Sequence, residues 1–468
     1  MTRPSRTPQE VVERCLAGDC GFGRVVMCED QYVSNLRWAI STLTTNGETR
    51  TRVVTIVAME HVAGGVGVGT ATGRISNLDD ADALVQQARQ TALSAPPAED
   101  VRDLPDGSHP SVGKSDWTDG PEISTSSDLT PITSPLGEAL HRSPSQEIEL
   151  FGYAEQRADT LYLGTSAGVR LRFVQRAARL EHCGKSHART RSAWAGWSGE
   201  QLSESNISAL NSEVNRGLDL QGTKISVDPG RHPVVLSASA AGDLLVSLYW
   251  ASTARHARDG RSAFSTPHGG TRIGEQLTTS EITLTSDPDD LEVRCLPVVA
   301  AASSSAEQSV FDNGLPLTST DWIRSGCLTS LVASRHEAAE THITSTPSID
   351  NLRVSVAGGN GNMWDLAAAM GDGLMVTSFW YIRSVDPQTM LYTGLTRDGV
   401  YVVRGGEVVG ATGNFRFNES PLQLISSITH AGSSGRTLVR EWADYFLRTA
   451  IPALAVSEFN FSTPSDAI

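Results

Sequence analysis

The sequence predicts an α+β protein of two domains, with a mixed α/β N-terminal domain at 1–228 and a β-rich, barrel-like C-terminal domain at 229–468 with flanking helices. Its 468 residues are enough for two or three domains of ordinary size. Strand-like and helical patterns alternate in the first half, and β-branched runs dominate the second. A weakly apolar stretch at 205–232 indicates a linker, and it ends in Asp228-Pro229-Gly230.

The N-terminal domain begins with two strand signals and a helix. Residues 22–33 and 50–59 are apolar and β-branched, and Asn46-Gly47 between them predicts a tight hairpin turn. A helix is predicted between Asn77, which can cap it, and Pro96, which stops it, because apolar residues recur there at helical spacing.

A long polar segment follows this helix. Residues 96–146 are rich in Pro, Ser, Asp and Gly, so we expect a long surface loop that is ordered only where Trp117 and Leu136 bury. Residues 148–182 return to a strand pattern, with Gly164–Gly168 as the turn of a second hairpin.

The C-terminal domain is predicted to begin with a strand, HPVVLSA, and a helix of about 20 residues that starts at Ser239. The remaining predicted elements are strands at 281–285 and 293–301, a helical stretch at 319–340, a strand at 351–357, a helix at 363–371, strands at 374–384, 391–404 and 407–412, and a final helix at 420–431.

Charge and cysteine content exclude several classes of function. The formal net charge is -15, whereas nucleic acids and anionic membranes require a basic surface. No apolar run approaches the length of about 18 residues that a membrane helix needs, and no secretory signal is recognisable. The six cysteines form no C-x-x-C pair, so we expect mostly buried, reduced thiols and a cytoplasmic protein.

Two groups of histidines resemble metal sites without fitting one. His336-Glu337 and His342 suggest a zinc-protease helix, but histidines six positions apart point about 120° away from each other, so an exposed helix end is expected. His182 and His187 are five apart, in a strand and turn that we expect to be solvated. The sequence therefore predicts no metal site in this chain.

Two further motifs are weak. Ser166 lies in a G-x-S-x-G pattern, but the alternating residues after it favour a hairpin over the strand-to-helix turn of a nucleophile elbow. The run Gly358–Asn362 precedes a short helix, where its backbone amides could face an anion, although a plain loop is favoured.

A set of segments in the chain is recognisable by its order. They are GTSAGVRLRF, HPVVLSASAAGDLL, SAFSTPHGGTRIGEQLTTSEITLTSDPDD, VFDNGLPLTSTDWIRSGCLTSLVASRHEA, NLRVSVAGGNGN, GLMVTSFW, VDPQTMLYTGLTRDGVYVVRGGEVVGA and SPLQLISSI. This order resembles the TldD/PmbA (TldE) family, whose members are also described as modulators of DNA gyrase. The resemblance is good over 230–435 and loose over 20–230.

The resemblance also discriminates between the two kinds of subunit in that family. TldD-like members carry H-E-x-x-x-H on the helix after the first strand of the second domain, and a later cysteine completes their zinc site. The matching positions here are Val246, Ser247 and Ala251, and no cysteine follows Cys327. None of these three residues can bind zinc or act as a base at neutral pH. The chain therefore resembles the metal-free TldE/PmbA-type subunit, with no catalytic residue and no cofactor of its own.

The resemblance implies a function for such a subunit. It would pair with a zinc-bearing, TldD-like HExxxH partner as a heterodimer and hold an unfolded peptide substrate, with no nucleic acid or membrane involved. The candidate substrate-groove residues are Tyr249, Arg255, His256, Arg383 and Tyr392. Two alternatives stay open: a stand-alone hydrolase with a relocated site, and a subunit dedicated to the maturation of one peptide natural product.

Overall fold

The structure, a computed structural model, describes residues 6–75, 77–108 and 116–465. Its first sheet is antiparallel, and its strands are β1 (Gly23–Ala39), β2 (Thr42–Val62), β3 (Gly65–Arg74), β4 (Ile148–Thr165), β5 (Arg170–Ser186) and β6 (Arg191–Gly199). They are arranged in the order β3-β2-β1-β4-β5-β6. The hairpin predicted at Gly164–Gly168 is confirmed, because it joins β4 to β5.

Four helices pack against this sheet: α1 (Pro8–Leu16), α2 (Leu78–Ser94), α3 (Thr130–Arg142) and α4 (Glu204–Leu220). The predicted α2 is confirmed, and the side chain of Asn77 caps it by accepting the amide of Asp80.

Three N-terminal predictions are wrong. The β1–β2 turn lies at Ile40-Ser41, not Asn46-Gly47, because Leu36 and Trp38 are buried and their burial extends the strand pairing beyond the predicted turn. The supposed loop at 96–146 contains α3, and the supposed linker at 205–232 contains α4.

The two missed helices share a cause. In α3 the residues Ile132, Leu136 and Leu140 recur every four positions and are all buried, although Pro, Ser and Thr dominate the surrounding composition. The polar composition of the segment therefore obscured the apolar face of α3. The burial expected of Leu136 is confirmed, Trp117 contacts the ring of Tyr162, and the prediction for 109–115 lies outside the described residues.

The remaining strands all follow residue 229 and form two sheets. They are β7 (Gly230–Leu236), β8 (Ile282–Ser286), β9 (Thr320–Arg324), β10 (Cys327–Leu328), β11 (Leu352–Val356), β12 (Gly373–Asp386), β13 (Leu391–Arg404), β14 (Glu407–Ala411), β15 (Asn414–Glu419), β16 (Ile428–Ala431), β17 (Gly435–Thr437), β18 (Thr449–Ile451) and β19 (Leu454–Ser465). The division of the chain near residue 228 into separate domains stays a prediction.

One of these sheets closes on itself. Strands β12, β7, β19, β15 and β13 pair in that order, and β13 also pairs with β12, so the five form a barrel. The fully buried rings of Phe379, Phe417 and Phe459 contact one another from three of these strands. The other sheet has the order β10-β9-β8-β11-β18-β17. The predicted α+β fold with a barrel-like, strand-rich C-terminal half is confirmed.

The helices of this half are α5 (Ala238–Ala251), α6 (Ala254–Arg258), α7 (Arg335–Thr341), α8 (Met363–Met370) and α9 (Pro421–Ser426). Among the described residues, no helix has the length and apolar content needed to cross a membrane.

Four C-terminal predictions need correction. The long helix from Ser239 is two helices, α5 and α6, because Thr253 caps a new helix start. Residues 293–301 form no strand. The stretch 319–340 contains the β9–β10 hairpin before α7, because Ser325 and Gly326 adopt positive φ and turn the chain back. The final helix ends at Ser426, and β16 follows it.

Candidate functional site

Helix α5 is surrounded by protein along most of its length. Ser237 caps it by accepting the amide of Ala240, and every residue from Ser239 to Tyr249 is buried. An apolar helix without a polar face belongs in a core. The segment is therefore a packing element of the core.

The positions matched to two zinc-binding histidines and a glutamate base do not fit a metal site. The side chain of Val246 is 0 % exposed within the hydrophobic core, and Ala251 packs against that core. The hydroxyl of Ser247 donates to the Asp243 carbonyl of its own helix at 2.8 Å. Among the described residues no group of three or more His, Cys, Asp or Glu side chains could hold a metal ion. The residues at these three positions thus supply no zinc ligand.

A buried carboxyl group lies one turn before those positions. Asp243 is 0 % exposed, and one of its oxygens accepts the backbone amide of Glu441 at 3.0 Å. Its other oxygen has no hydrogen-bond partner among the described residues. Burial raises the pKa of Asp243 well above the ordinary aspartate value. The protonated, neutral carboxyl is therefore favoured in the interior of α5.

Three of the predicted groove residues lie around α5. The Tyr249 hydroxyl is buried and both donates to and accepts from the backbone of Ile349 at 2.8 Å. The Tyr392 hydroxyl donates to the Ser247 carbonyl at 3.4 Å. Arg383 forms an ion pair with Glu441 at 3.1 Å. The hydrogen bonds of Tyr249 and Tyr392 tie α5 to its surroundings.

The other two lie elsewhere. Arg255 and His256 are on α6, and Arg255 lines a cavity of about 450 Å³ together with Glu99 and Glu337. The structure therefore does not bring the five candidates into one groove, and their contact with a peptide stays a prediction.

The zinc-protease-like segment forms α7, and its glutamate is not in solvent as expected. Glu337 is 2 % exposed, with Arg258 at 3.0 Å and Arg255 at 3.8 Å. Its predicted solvent exposure is wrong because α6 packs against α7 and brings two guanidinium groups to it. His342 ends the helix in a left-handed conformation, away from the helical position of His336.

The solvated turn expected around His182 is also wrong in part. His182 lies inside β5, is 0 % exposed, and places its Nε2 atom 3.3 Å from Asn211 Oδ1. Burial lowers its pKa to about 4, so the imidazole is neutral at physiological pH. His187, by contrast, lies in the exposed turn after the strand.

A second cavity, of about 510 Å³, contains residues that the sequence did not single out. It lies between α4, β6, the first turn of α5, the start of α8 and β17. Its charged lining groups are Glu213, Arg216 and Arg436. The glycine run before α8 was the one signal for it, since Gly361 and Asn362 line this cavity.

Comparisons with known proteins agree with the fold. Residues 229–463 match the model of the PmbA/TldA metallopeptidase C-terminal domain. The chain is similar to the crystal structure of TldE from Thermococcus kodakarensis, with a TM-score of 0.77 and 13 % identity over 97 % of this chain and 99 % of that one. No curated protein matches the chain.

Two further solved structures, each described as a proposed modulator of a DNA gyrase, are also similar. The one from Thermotoga maritima has a TM-score of 0.70 and 14 % identity, covering 94 % of this chain and 95 % of that one. The one from Bacteroides thetaiotaomicron has a TM-score of 0.74 and 14 % identity, covering 97 % and 98 %. At such identities the likeness shows the fold alone.

Proposed function

The chain belongs to the PmbA/TldA (TldD) metallopeptidase family, and from this premise we propose that it is the non-catalytic, TldE-like subunit of a two-subunit peptidase. The observation that carries the proposal is the replacement of the family's zinc-helix residues by Val246, Ser247 and Ala251. A TldD-like HExxxH partner supplies the zinc and the glutamate that activates water, and both subunits work in the cytoplasm.

The packing of α5 supports this assignment. A metal ligand must reach a space that substrate and water can enter, whereas Val246 is fully buried among apolar side chains. The hydroxyl of Ser247 is engaged within its own helix. This helix stabilises the fold, and the chemistry falls to the partner.

The contribution of this chain is to hold substrate. Strand β6 ends the first sheet and β17 ends the other six-stranded sheet, and residues of both line the cavity of about 510 Å³. An extended peptide can add to a sheet edge through main-chain hydrogen bonds, which do not depend on its sequence. Such binding suits an unfolded substrate. Arg383 and Tyr392 stay candidate contacts for it near α5.

The test is to produce the chain together with the HExxxH-bearing protein of the same source and to measure native mass, zinc content and cleavage of an unfolded polypeptide. We expect a heterodimer with one zinc ion, and activity only when both chains are present. Replacing the partner's HExxxH glutamate by glutamine should abolish cleavage. Stoichiometric zinc or peptidase activity in this chain alone would contradict the proposal and favour a stand-alone hydrolase.

A panel of unrelated unfolded polypeptides then separates general proteolysis from maturation of one peptide. Cleavage of most of the panel supports a general peptidase. Cleavage of a single dedicated precursor, with the rest left intact, supports the maturation alternative.

A further inference from the structure

The cavity of about 510 Å³ has the size of a small-ligand site and far exceeds the space of one water molecule. It is built from distant parts of the chain: α4, β6, the starts of α5 and α8, and β17 with its neighbouring residues. Trp194, Met363, Trp364 and Leu438 give it apolar walls. It can therefore bury an apolar side chain beside a polar group.

Two arginines in this cavity retain unused hydrogen-bond donors. The exposed Arg216 stacks its guanidinium on the ring of Trp364, 3.5 Å from its centroid, and the described residues provide it with no ion pair or hydrogen bond. Arg436 donates from one terminal nitrogen to the Glu292 carbonyl, while its buried Nε atom has no partner among the described residues. Two guanidinium groups with available donors therefore lie at one cavity.

Other donors in the cavity wall are also unmatched. Trp194 is 7 % exposed, and its indole nitrogen has no acceptor among the described residues. Ala238 and Ser239 occupy the first turn of α5, where backbone amides lack partners within the helix and the helix dipole favours negative charge.

Carboxyl groups are scarcer than guanidinium groups at this cavity. The side-chain oxygen of Asn362 already accepts the amides of Trp364 and Asp365. Glu213 supplies the one carboxyl group among the lining residues. Two guanidinium groups against one carboxyl group favour a ligand rich in acceptors, which is an anion.

We propose that this cavity binds the C-terminal carboxylate of a peptide, with Arg216 and Arg436 contacting the carboxylate and the apolar walls enclosing the last side chain. A planar carboxylate with a single charge matches the fork of a guanidinium group, whereas Glu213 opposes the second charge of a phosphate. The adjoining strand edges of β6 and β17 can then engage the peptide main chain. This inference rests on the proposed peptide-holding function and specifies its substrate class as peptides with a free C-terminus.

The test measures binding of a labelled, unstructured decapeptide to the full chain and to its complex by fluorescence anisotropy. The free acid should bind at least about tenfold more tightly than the C-terminal amide, because charge-assisted hydrogen bonds are lost. Arg216→Gln and Arg436→Gln should each weaken binding of the free acid to a similar degree and leave binding of the amide unchanged.

Arg404→Gln is the matched control, since it removes one exposed guanidinium at the end of β13 that does not line the cavity, and it should leave binding unchanged. Melting temperatures show whether each variant folds. If Arg436→Gln fails to fold, the Arg216→Gln variant and the comparison of acid with amide still decide the question.

Equal binding of acid and amide, or no binding of either, would overturn the inference. Displacement of the peptide by inorganic phosphate at far lower concentration than by acetate would also overturn it, in favour of a phosphate site. If the heterodimer binds zinc and is active but binds the free-acid and amide peptides equally, this inference is wrong and the proposed function still holds. If the chain prefers the free-acid peptide but forms no heterodimer, the proposed function is wrong and the carboxylate site still holds.

Discussion

Helix α7 carries the residue types of a metalloprotease motif and α5 carries none of them, yet the resemblance to the family places the metal helix of TldD-like subunits at α5. The two helices also differ in their buried carboxyl groups. Glu337 on α7 has two arginines beside it, whereas Asp243 on α5 has one backbone amide and a free oxygen. The neighbours that the fold places around a carboxyl group therefore decide whether it is paired with a positive charge.

The largest effect is expected from restoring the zinc-helix residues on α5 by Val246→His, Ser247→Glu and Ala251→His. Two imidazoles and a carboxylate would replace core packing, so stability should fall by roughly 3–5 kcal/mol, as measured by urea unfolding. No zinc-dependent peptidase should appear, because the cysteine ligand is missing. Tight zinc binding with cleavage by this chain alone would show a nearly complete site and contradict the holding role.

Removing the α7 carboxylate by Glu337→Ala should cost about 3 kcal/mol, because Arg258 and Arg255 then lack their buried counter-charge. Glu340→Ala is the matched control on the same helix, and as an exposed residue it should change stability by less than about 0.5 kcal/mol. Similar unfolding midpoints for both variants would show that the ion pairs of Glu337 do not stabilise the fold.

His182 in β5 and His187 in the turn after it differ in the same way, and the difference can be tested by pH. Because the pKa of folded His182 is about 4, the unfolded chain takes up the proton first as pH falls below about 6.5. Stability is therefore lost between about pH 6.5 and pH 4, by about 2.5 kcal/mol at pH 4.5. This part of the acid sensitivity should vanish in His182→Gln and persist in His187→Gln. Equal acid sensitivity of both variants would contradict the burial of His182.

A smaller effect is expected from Asp243→Asn. The pKa of Asp243 is raised by burial, so the unfolded chain loses this proton first as pH rises, and stability falls above the ordinary aspartate pKa. Asparagine carries no such penalty. The stability of the variant minus that of the unmodified chain should therefore be larger at pH 8 than at pH 4, as measured by urea unfolding. A parallel pH profile for the two proteins would show that Asp243 is ionised in the folded state.

The smallest effect is expected on α7 itself. Glu340→His gives this helix histidines at 336 and 340 around Glu337, with the spacing of a zinc-protease motif. Because Glu337 stays paired with Arg258, we expect no peptidase activity and a stability change below about 0.5 kcal/mol. Zinc-dependent cleavage by this variant would show that the motif is active even with Glu337 paired to arginine.

Local patterns predicted the elements whose signals are local. Helix α2 followed from Asn77 and the apolar spacing after it. Strand β13 has its predicted bounds, and β-branched and aromatic residues make up about half of it. The Asn46-Gly47 turn failed because the burial of Trp38, contributed by another part of the fold, lengthened both strands. Local turn preference is weaker than the burial of a large aromatic side chain.

Some properties of the candidate site also follow from the sequence alone, and others depend on the tertiary structure. That Val246, Ser247 and Ala251 cannot hold zinc follows from side-chain chemistry, so the sequence alone determined it. Tertiary structure decided the burial of Glu337 between two arginines and the raised pKa of Asp243. It also brought Trp194, Arg216 and Arg436 to one cavity. These properties depend on which groups exclude water from one another, and packing brings those groups together from far apart in the chain.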